Sequence, residues 1–150
     1  MNIFILDYDI QTNAYYHCDQ HVNKMILEAA QMLCTVVGEQ GHKVPYKPTH
    51  TNHPCTKWLR ESLDNYLYLQ DLAFWLNEAA KDRYKRKADH KSWEVIATLP
   101  YPDLPQIGVT KFARAMPDEF KKIEDTVDAY RAYYRTKEFA TWKNGKPSWY

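Results

Sequence analysis

Five polar residues that could do chemistry recur at helical spacing between residues 17 and 31: His17, His21, Lys24, Glu28 and Gln31. Successive members stand four, three, four and three residues apart, so one continuous helix would align all five on a stripe. An amine and a carboxylate one turn apart, beside imidazoles, could supply a nucleophile and a group that moves protons. The flanking positions are largely apolar, which predicts a central helix whose stripe lines a cleft. The alternative is a solvent-facing Lys24–Glu28 ion pair of small energy.

The histidines also bear on metal binding. His17 and His21 have the i, i+4 spacing at which two imidazoles can share a zinc ion, and His50 and His53 follow in the next loop. No cysteine or carboxylate stands at a matching ligand spacing. We therefore predict no metal and no cofactor. The segment around His50, Asn52 and His53 is interpreted as contacting backbone or phosphate groups.

Composition narrows the class of protein. A chain of 150 residues predicts a single domain, and only 4 Gly argue against a glycine-rich phosphate loop. No apolar run approaches the roughly 18 residues of a membrane span, and the start lacks the basic leader of a signal peptide. The 3 Cys are scattered and odd in number, which favours a reduced, cytoplasmic protein.

Charge is uneven at the C-terminal end, although the whole chain carries only +1. Between residues 129 and 150, five bases stand against one acid, interleaved with seven aromatic residues. Bases contact phosphates and rings stack on nucleobases, so this segment favours DNA or a nucleotide as partner, with Arg131 and Arg135 as candidate contacts. The equally weighted alternative is that the rings dock on the core while the charges stay in water.

Helical patterns dominate the rest of the chain and predict an all-α, compact helical domain with an extended N-terminal arm and an aromatic-rich C-terminal tail. Loops are expected at 41–54 and 99–110, where prolines cluster. Helices are predicted from about Tyr15 to Val37, from Pro54 or Cys55 to about Tyr84, around residues 92–98, and from near Asp118 to near Arg135. Packing of the first two predicted helices against each other should bring the loop at His53 over the cleft at Glu28. Arg60, further along the second helix, should point toward the same cleft.

Several long stretches resemble a group of small phage-encoded proteins of similar length. They are HCDQHVNKMILEAAQ, YKPTHTNHPC, RESLDNYLYL, AMPDEF and YYRTKEFATWKNGKPSWY. The likeness covers nearly the whole chain. It implies a phage origin, and hence the host cytoplasm, rather than a particular reaction.

A second, more distant resemblance is to the pyrimidine-dimer DNA glycosylases of the endonuclease V type. That family starts its first long helix with Asp-Gln-His and a hydrophobic residue, and places its catalytic Glu seven residues after the His. Here residues 19–22 match, and Glu28 stands at the position of that Glu. Bacterial relatives carry Asn-His-Pro before the second helix, as at residues 52–54. The family's chain also ends in an aromatic-rich tail.

The resemblance implies an all-α enzyme in which an N-terminal arm brings the terminal amine beside the catalytic Glu. The amine attacks C1′ of the damaged nucleotide and forms a Schiff base, while the Glu stabilises positive charge on the sugar. In the family the second residue is small, so the initiator Met is removed and the amine of a Thr is freed. This chain has Asn2, a poor context for removal of Met, so the amine here would be that of Met1. Lys24, the sole base on the matching helix segment, is the other candidate amine, with His21 beside it.

Three other functions stay open from the residues. One is a base-modifying transferase on the same scaffold. Another is a non-catalytic protein that binds a nucleotide or another phosphate ligand, in which Glu28 orients Lys24. Its phosphate-binding residues would be His21, Lys24, His50, His53 and Arg60. A purely structural or host-interaction protein would use the stripe only as a buried polar network.

Overall fold

The computed structural model describes residues 1–150 and contains eight helical segments and no strand, which confirms the all-α prediction. The segments are α1 (Ile10–Tyr16), α2 (Asp19–Val22), α3 (Lys24–Glu39), α4 (Pro54–Glu61), α5 (Leu63–Tyr84), α6 (Lys91–Thr98), α7 (Asp118–Lys121) and α8 (Thr126–Tyr134). The long helix α5 packs against α1, α3 and α4, and α6 packs against α3. The buried apolar side chains form one cluster. None of the helices combines the length and the apolar character that a membrane span needs.

The prediction of one continuous helix from Tyr15 to Val37 is wrong. The chain is extended at His17 and Cys18, with ψ angles of 136° and 167°. Distant partners satisfy the backbone groups that this break leaves free: Arg83 donates to the carbonyl oxygens of Tyr15 and His17, and the Cys18 N–H donates to the Tyr134 hydroxyl. Tertiary contacts therefore override the local helical preference.

The predicted second and last helices are interrupted as well. Ser62 is extended between α4 and α5, and its hydroxyl caps α5 by accepting from the Asn65 N–H. Near the C-terminal end, Asp125 ends the connection after α7 and caps α8 by accepting from the Asp128 N–H. The short helix and the two proline-rich loops lie where they were predicted.

The N-terminal residues form a buried arm rather than a strand. Residues 3–6 are almost wholly inaccessible to solvent, yet they have no regular secondary structure. The Asn13 side chain takes the place of a neighbouring strand, because its carbonyl oxygen accepts from the Leu6 N–H at 2.8 Å and its amide donates to the Phe4 carbonyl at 3.0 Å. These bonds let a polar backbone run through the core.

Candidate active site

The terminal amine of Met1 lies against the carboxylate of Glu28 on α3. The nitrogen is 3.3 Å from Oε1, and the two side chains are only 4% and 10% exposed. Oε1 is buried and accepts no aligned hydrogen bond, so the contact is an ion pair rather than a well-directed hydrogen bond. An amine in contact with a buried carboxylate can exchange a proton with it directly.

Asn2, the residue after the one that carries the amine, anchors the N-terminal arm through hydrogen bonds of its side chain. Its side-chain amide donates to the Ala115 carbonyl at 2.8 Å, and its side-chain oxygen accepts from the Ile3 N–H at 2.8 Å and from the Tyr130 hydroxyl at 3.2 Å. The arm is thus tied to a loop and to α8, both far away in sequence. This anchoring limits how far the amine can move from Glu28.

A cavity of about 160 Å³ opens onto the pair. Its lining is mostly polar and includes the amine end of the chain, Lys24, Lys137 and Glu28, together with the rings of Phe4 and Tyr133. Three cationic groups thus face one carboxylate. Such a balance favours an anionic or electron-rich ligand.

Lys24 lies one helical turn from Glu28, with Nζ 3.8 Å from Oε2. Its side chain is 65% exposed, so the buried setting that would activate a lysine amine is absent. The Lys24–Glu28 ion pair of the alternative interpretation exists, but only its lysine faces solvent, because Glu28 is buried. Both Lys24 and Met1 line the cavity.

His21 also lines the cavity and is neutral at physiological pH. Burial, followed by the nearby His17 and Lys137, lowers the pKa of His21 to about 3. Its Nδ1 lies 2.7 Å from the Tyr134 hydroxyl, and its ring stacks on Phe4 at 4.9 Å. The fixed ring leaves Nε2 as the nitrogen without a protein partner.

The prediction that all five residues of the stripe line one cleft is wrong for the first and the last of them, His17 and Gln31. The break in the helix turns His17 into the core, where its Nδ1 donates to the Asn13 carbonyl at 2.8 Å and burial lowers its pKa to about 4. Gln31 is half-buried on α3 and does not line the cavity. Only His21, Lys24 and Glu28 of the five share the cavity.

The loop before α4 approaches the site through His53. This residue caps α4, with Nδ1 accepting from the Cys55 N–H at 3.1 Å. Burial lowers the pKa of His53, and the positive charge of the terminal amine lowers it further, while the Met1 backbone and the Glu28 charge oppose this shift. His53 itself does not line the cavity. His50 adopts a φ of 51° next to it, and Asn52 is exposed and forms no side-chain hydrogen bond.

Arg60 does not point into the cavity, so that prediction is wrong. Its guanidinium forms a two-pronged ion pair with Glu39, with contacts of 2.8 and 2.7 Å, and donates to the Thr51 carbonyl. Glu39 lies in the last turn of α3, at the opposite end from Lys24. The two parallel hydrogen bonds to the Glu39 carboxylate hold the guanidinium at that end of α3, away from the cavity.

Arg131 and Arg135 have partners within the chain. Arg131 donates to the Leu6 carbonyl at 2.8 Å and to Asp7 at 2.9 Å, while Arg135 donates to the Trp149 carbonyl at 2.7 Å. Both guanidinium groups also lie over the Trp149 ring. The two arginines thus hold the arm and the tail in place, and neither lines the cavity.

Sequence reasoning missed Lys137, Phe4 and Tyr133 as cavity residues. Phe4 lies in an apolar run that reads only as core, and Lys137 is one of several tail bases without a distinguishing spacing. No group of three or more His, Cys, Asp or Glu side chains is arranged to hold a metal ion.

Comparison with known proteins adds no relative. No protein-family model, no curated protein and no solved structure matches the chain.

Proposed function

We propose that the protein is a DNA glycosylase-like enzyme, phage-encoded and acting in the host cytoplasm, that removes a damaged or modified pyrimidine. In this proposal the Met1 amine is the nucleophile and Glu28 is the carboxylate that serves it. The observation that carries the proposal is the 3.3 Å contact between the two groups at the wall of a polar cavity.

The proposed chemistry uses the pair in a defined order. Glu28 takes a proton from the Met1 ammonium, and the freed lone pair attacks C1′ of the nucleotide while the glycosidic bond breaks. The base leaves with the bonding electrons and takes the proton that Glu28 holds. Glu28 then takes a second proton from the nitrogen, whose lone pair expels the sugar-ring oxygen, and Glu28 passes this proton to that oxygen. A Schiff base between the chain and C1′ remains, and the Glu28 carboxylate faces the positive charge that develops on the sugar.

The geometry favours Met1 over Lys24 as the amine. The terminal amine lies 3.3 Å from the carboxylate and is anchored through Asn2, whereas the Lys24 side chain is 65% exposed and lies further from the carboxylate, at 3.8 Å. An amine held in one place loses less freedom on reaching the transition state. The resemblance to the endonuclease V family gives the same assignment for the carboxylate.

Borohydride trapping tests the proposal. The protein is incubated with an oligonucleotide that carries an abasic aldehyde, and with ultraviolet-irradiated DNA, in the presence of borohydride. A covalent protein–DNA adduct is expected, and peptide mapping should place it on residue 1. N-terminal sequencing of the same sample establishes which residue carries the free amine.

Three variants sharpen the trapping experiment. Glu28→Gln keeps shape but removes basicity, so turnover should fall about 10²–10⁴-fold while DNA affinity changes little. Lys24→Met should leave the adduct in place, and the exposed Glu138→Gln is the matched carboxylate control. An adduct mapped to Lys24 would reassign the nucleophile. Turnover without any adduct would exclude the Schiff-base route.

One observation favours a second candidate, a protein that only binds a phosphate ligand. The three cationic groups of the cavity exceed its single carboxylate. For a protein that only binds a phosphate ligand, the expected effects of the two substitutions are reversed. Glu28→Gln would preserve or improve binding, because it removes a negative charge that repels the phosphate. Lys24→Met would abolish binding. A titration with nucleotides and both variants separates the two candidates.

A further inference from the structure

Lys137 is a cavity-lining cation that the proposed chemistry does not use. It follows α8 in a turn, where its N–H donates to the Tyr134 carbonyl. Its Nζ lies 4.3 Å from the ring centre of Tyr133 and 5.5 Å from that of Phe4. It takes part in none of the ion pairs of the chain, and its ammonium donates no hydrogen bond. The ammonium is therefore available to a ligand in the cavity.

The tail fixes the position of Lys137. The Tyr150 hydroxyl donates to the Lys137 carbonyl at 2.8 Å, and Tyr150 in turn packs edge-on against Trp142 with ring centres 4.6 Å apart. The two rings beneath the ammonium restrict the side chain further. A half-buried, pre-positioned cation loses little freedom when it binds an anion.

Phe139 lies two residues further on, beside the same cavity. Its ring is edge-on to His21 with centres 5.8 Å apart, yet the residue is 53% exposed. His21 is itself buried and lines the cavity. An aromatic side chain held against the wall of a polar cavity, with much of its surface in water, offers a stacking platform for a flat ligand.

The size of the cavity limits what can enter it. A volume of about 160 Å³ is well below the roughly 300–1,000 Å³ of sites that enclose a whole small molecule. This volume suits a fragment such as a sugar or a phosphate group, so the base of a bound nucleotide would lie outside the cavity. Phe139 does not line the cavity but contacts the lining residue His21 and is exposed, so it could meet such a base.

We propose that Lys137 binds a backbone phosphate next to the reacting sugar and that Phe139 stacks on the adjacent base, so that the substrate is a DNA strand with an unstacked nucleotide. The proposal rests on the proposed function for the identity of the reacting sugar. It assigns substrate recognition to the C-terminal segment through residues 137 and 139, and leaves Arg131 and Arg135 to hold that segment in place.

The test measures binding without chemistry. The probe is a single-stranded oligonucleotide with a tetrahydrofuran abasic analogue, which has no aldehyde and cannot form a Schiff base. Lys137→Met should weaken binding about tenfold, because a charge-assisted hydrogen bond is lost. It should also reduce the slope of log affinity against log salt by about 0.7, the value for one phosphate of a single strand. Lys137→Arg should retain most of the binding.

Lys143→Met is the matched control. Lys143 is also a tail lysine over an aromatic ring, with Nζ 5.5 Å from the centre of Tyr84, but it does not line the cavity. Its loss should leave affinity and salt slope unchanged. Equal effects of the two substitutions, or none for either, would overturn the assignment of Lys137. If Lys137→Met is unstable, Lys137→Gln gives the same readout with a polar side chain.

Phe139 has a readout of its own. Phe139→Ala should weaken binding at least about fivefold, and Phe139→Trp should restore it. When the base next to the tetrahydrofuran is also replaced by a tetrahydrofuran, the wild-type chain and Phe139→Ala should bind equally. A Phe139→Ala effect that persists without that base would overturn the stacking role.

Competition with inorganic phosphate distinguishes a site that binds a DNA strand from a site that binds a free anion. Phosphate should compete with the oligonucleotide only at far higher concentration, and only in the chain that keeps Lys137. Competition at oligonucleotide-like concentrations would overturn the assignment of a DNA strand. If binding depends on Lys137 but no borohydride adduct forms, the proposed chemistry is refuted and the role of Lys137 stands. If the adduct forms equally well in Lys137→Met, the role of Lys137 is refuted and the proposed chemistry stands.

Discussion

The two buried histidines should make the protein lose stability between pH 7 and pH 5. Burial lowers the pKa of His17 to about 4, and burial with neighbouring positive charge lowers that of His21 to about 3, from an ordinary value of 6.5. In this window the unfolded chain binds a proton at each ring and the folded chain does not. Stability is therefore complete above the unfolded value and declines as the pH falls toward the folded values.

The size of the loss follows from these values. Proton linkage gives roughly 2 kcal/mol for each histidine between pH 7 and pH 5, or about 4 kcal/mol for the pair. Domains have about 5–15 kcal/mol of stability in total, so the effect is a large fraction of it. Aspartates with a lowered pKa, such as Asp9 and Asp125, add to the loss only at lower pH, because their ordinary value is 3.8.

Urea unfolding at pH 5, 6 and 7 measures the effect. His17→Gln should reduce the difference in stability between pH 7 and pH 5 by roughly 2 kcal/mol, whatever the substitution itself costs. His21→Gln is the second variant if the first does not fold. The exposed His42, replaced by Gln, is the control and should leave the pH dependence unchanged. A wild-type chain equally stable at pH 7 and pH 5 would refute the reasoning, as would equal effects of His17→Gln and His42→Gln.

Three further predictions concern the frame of the site. Arg83→Met should cost about 3–5 kcal/mol in chemical unfolding, because it removes the cation paired with Asp19 and the donor to two carbonyls at the helix break; Arg83→Lys should restore little of this. Asn13→Ala should cost about 1–3 kcal/mol for each unpaired backbone group and should speed hydrogen exchange at the Leu6 amide. The three cysteines, free and buried, should resist a thiol reagent until the protein unfolds, and rapid labelling of the native chain would contradict their burial.

Local signals in the sequence predicted what depends on neighbouring residues. The short helix α6, the start of α4 at Pro54 and the proline-rich loops follow from turn chemistry and periodicity within a few residues. The spacing of His21, Lys24 and Glu28 predicts that they lie on one side of a helix, and these three residues share one cavity.

Contacts between distant residues explain what the sequence could not predict. The break that removes His17 from the stripe depends on Arg83, 66 residues away. Arg60 turns from the cleft because Glu39, 21 residues before it, offers a better partner. Lys137 reaches the cavity only because the chain turns after α8, and periodicity carries no information on such a turn.

The bonds that hold the arm also determine when the site can form during synthesis. Asn2 is anchored by Ala115 and Tyr130, which are 113 and 128 residues further along the chain. Ribosomes add about 5–20 residues per second, so the amine leaves the ribosome seconds before its anchors exist. Throughout that interval Asn2 lacks both partners, so residue 1 is not anchored beside Glu28 until residue 130 has been made.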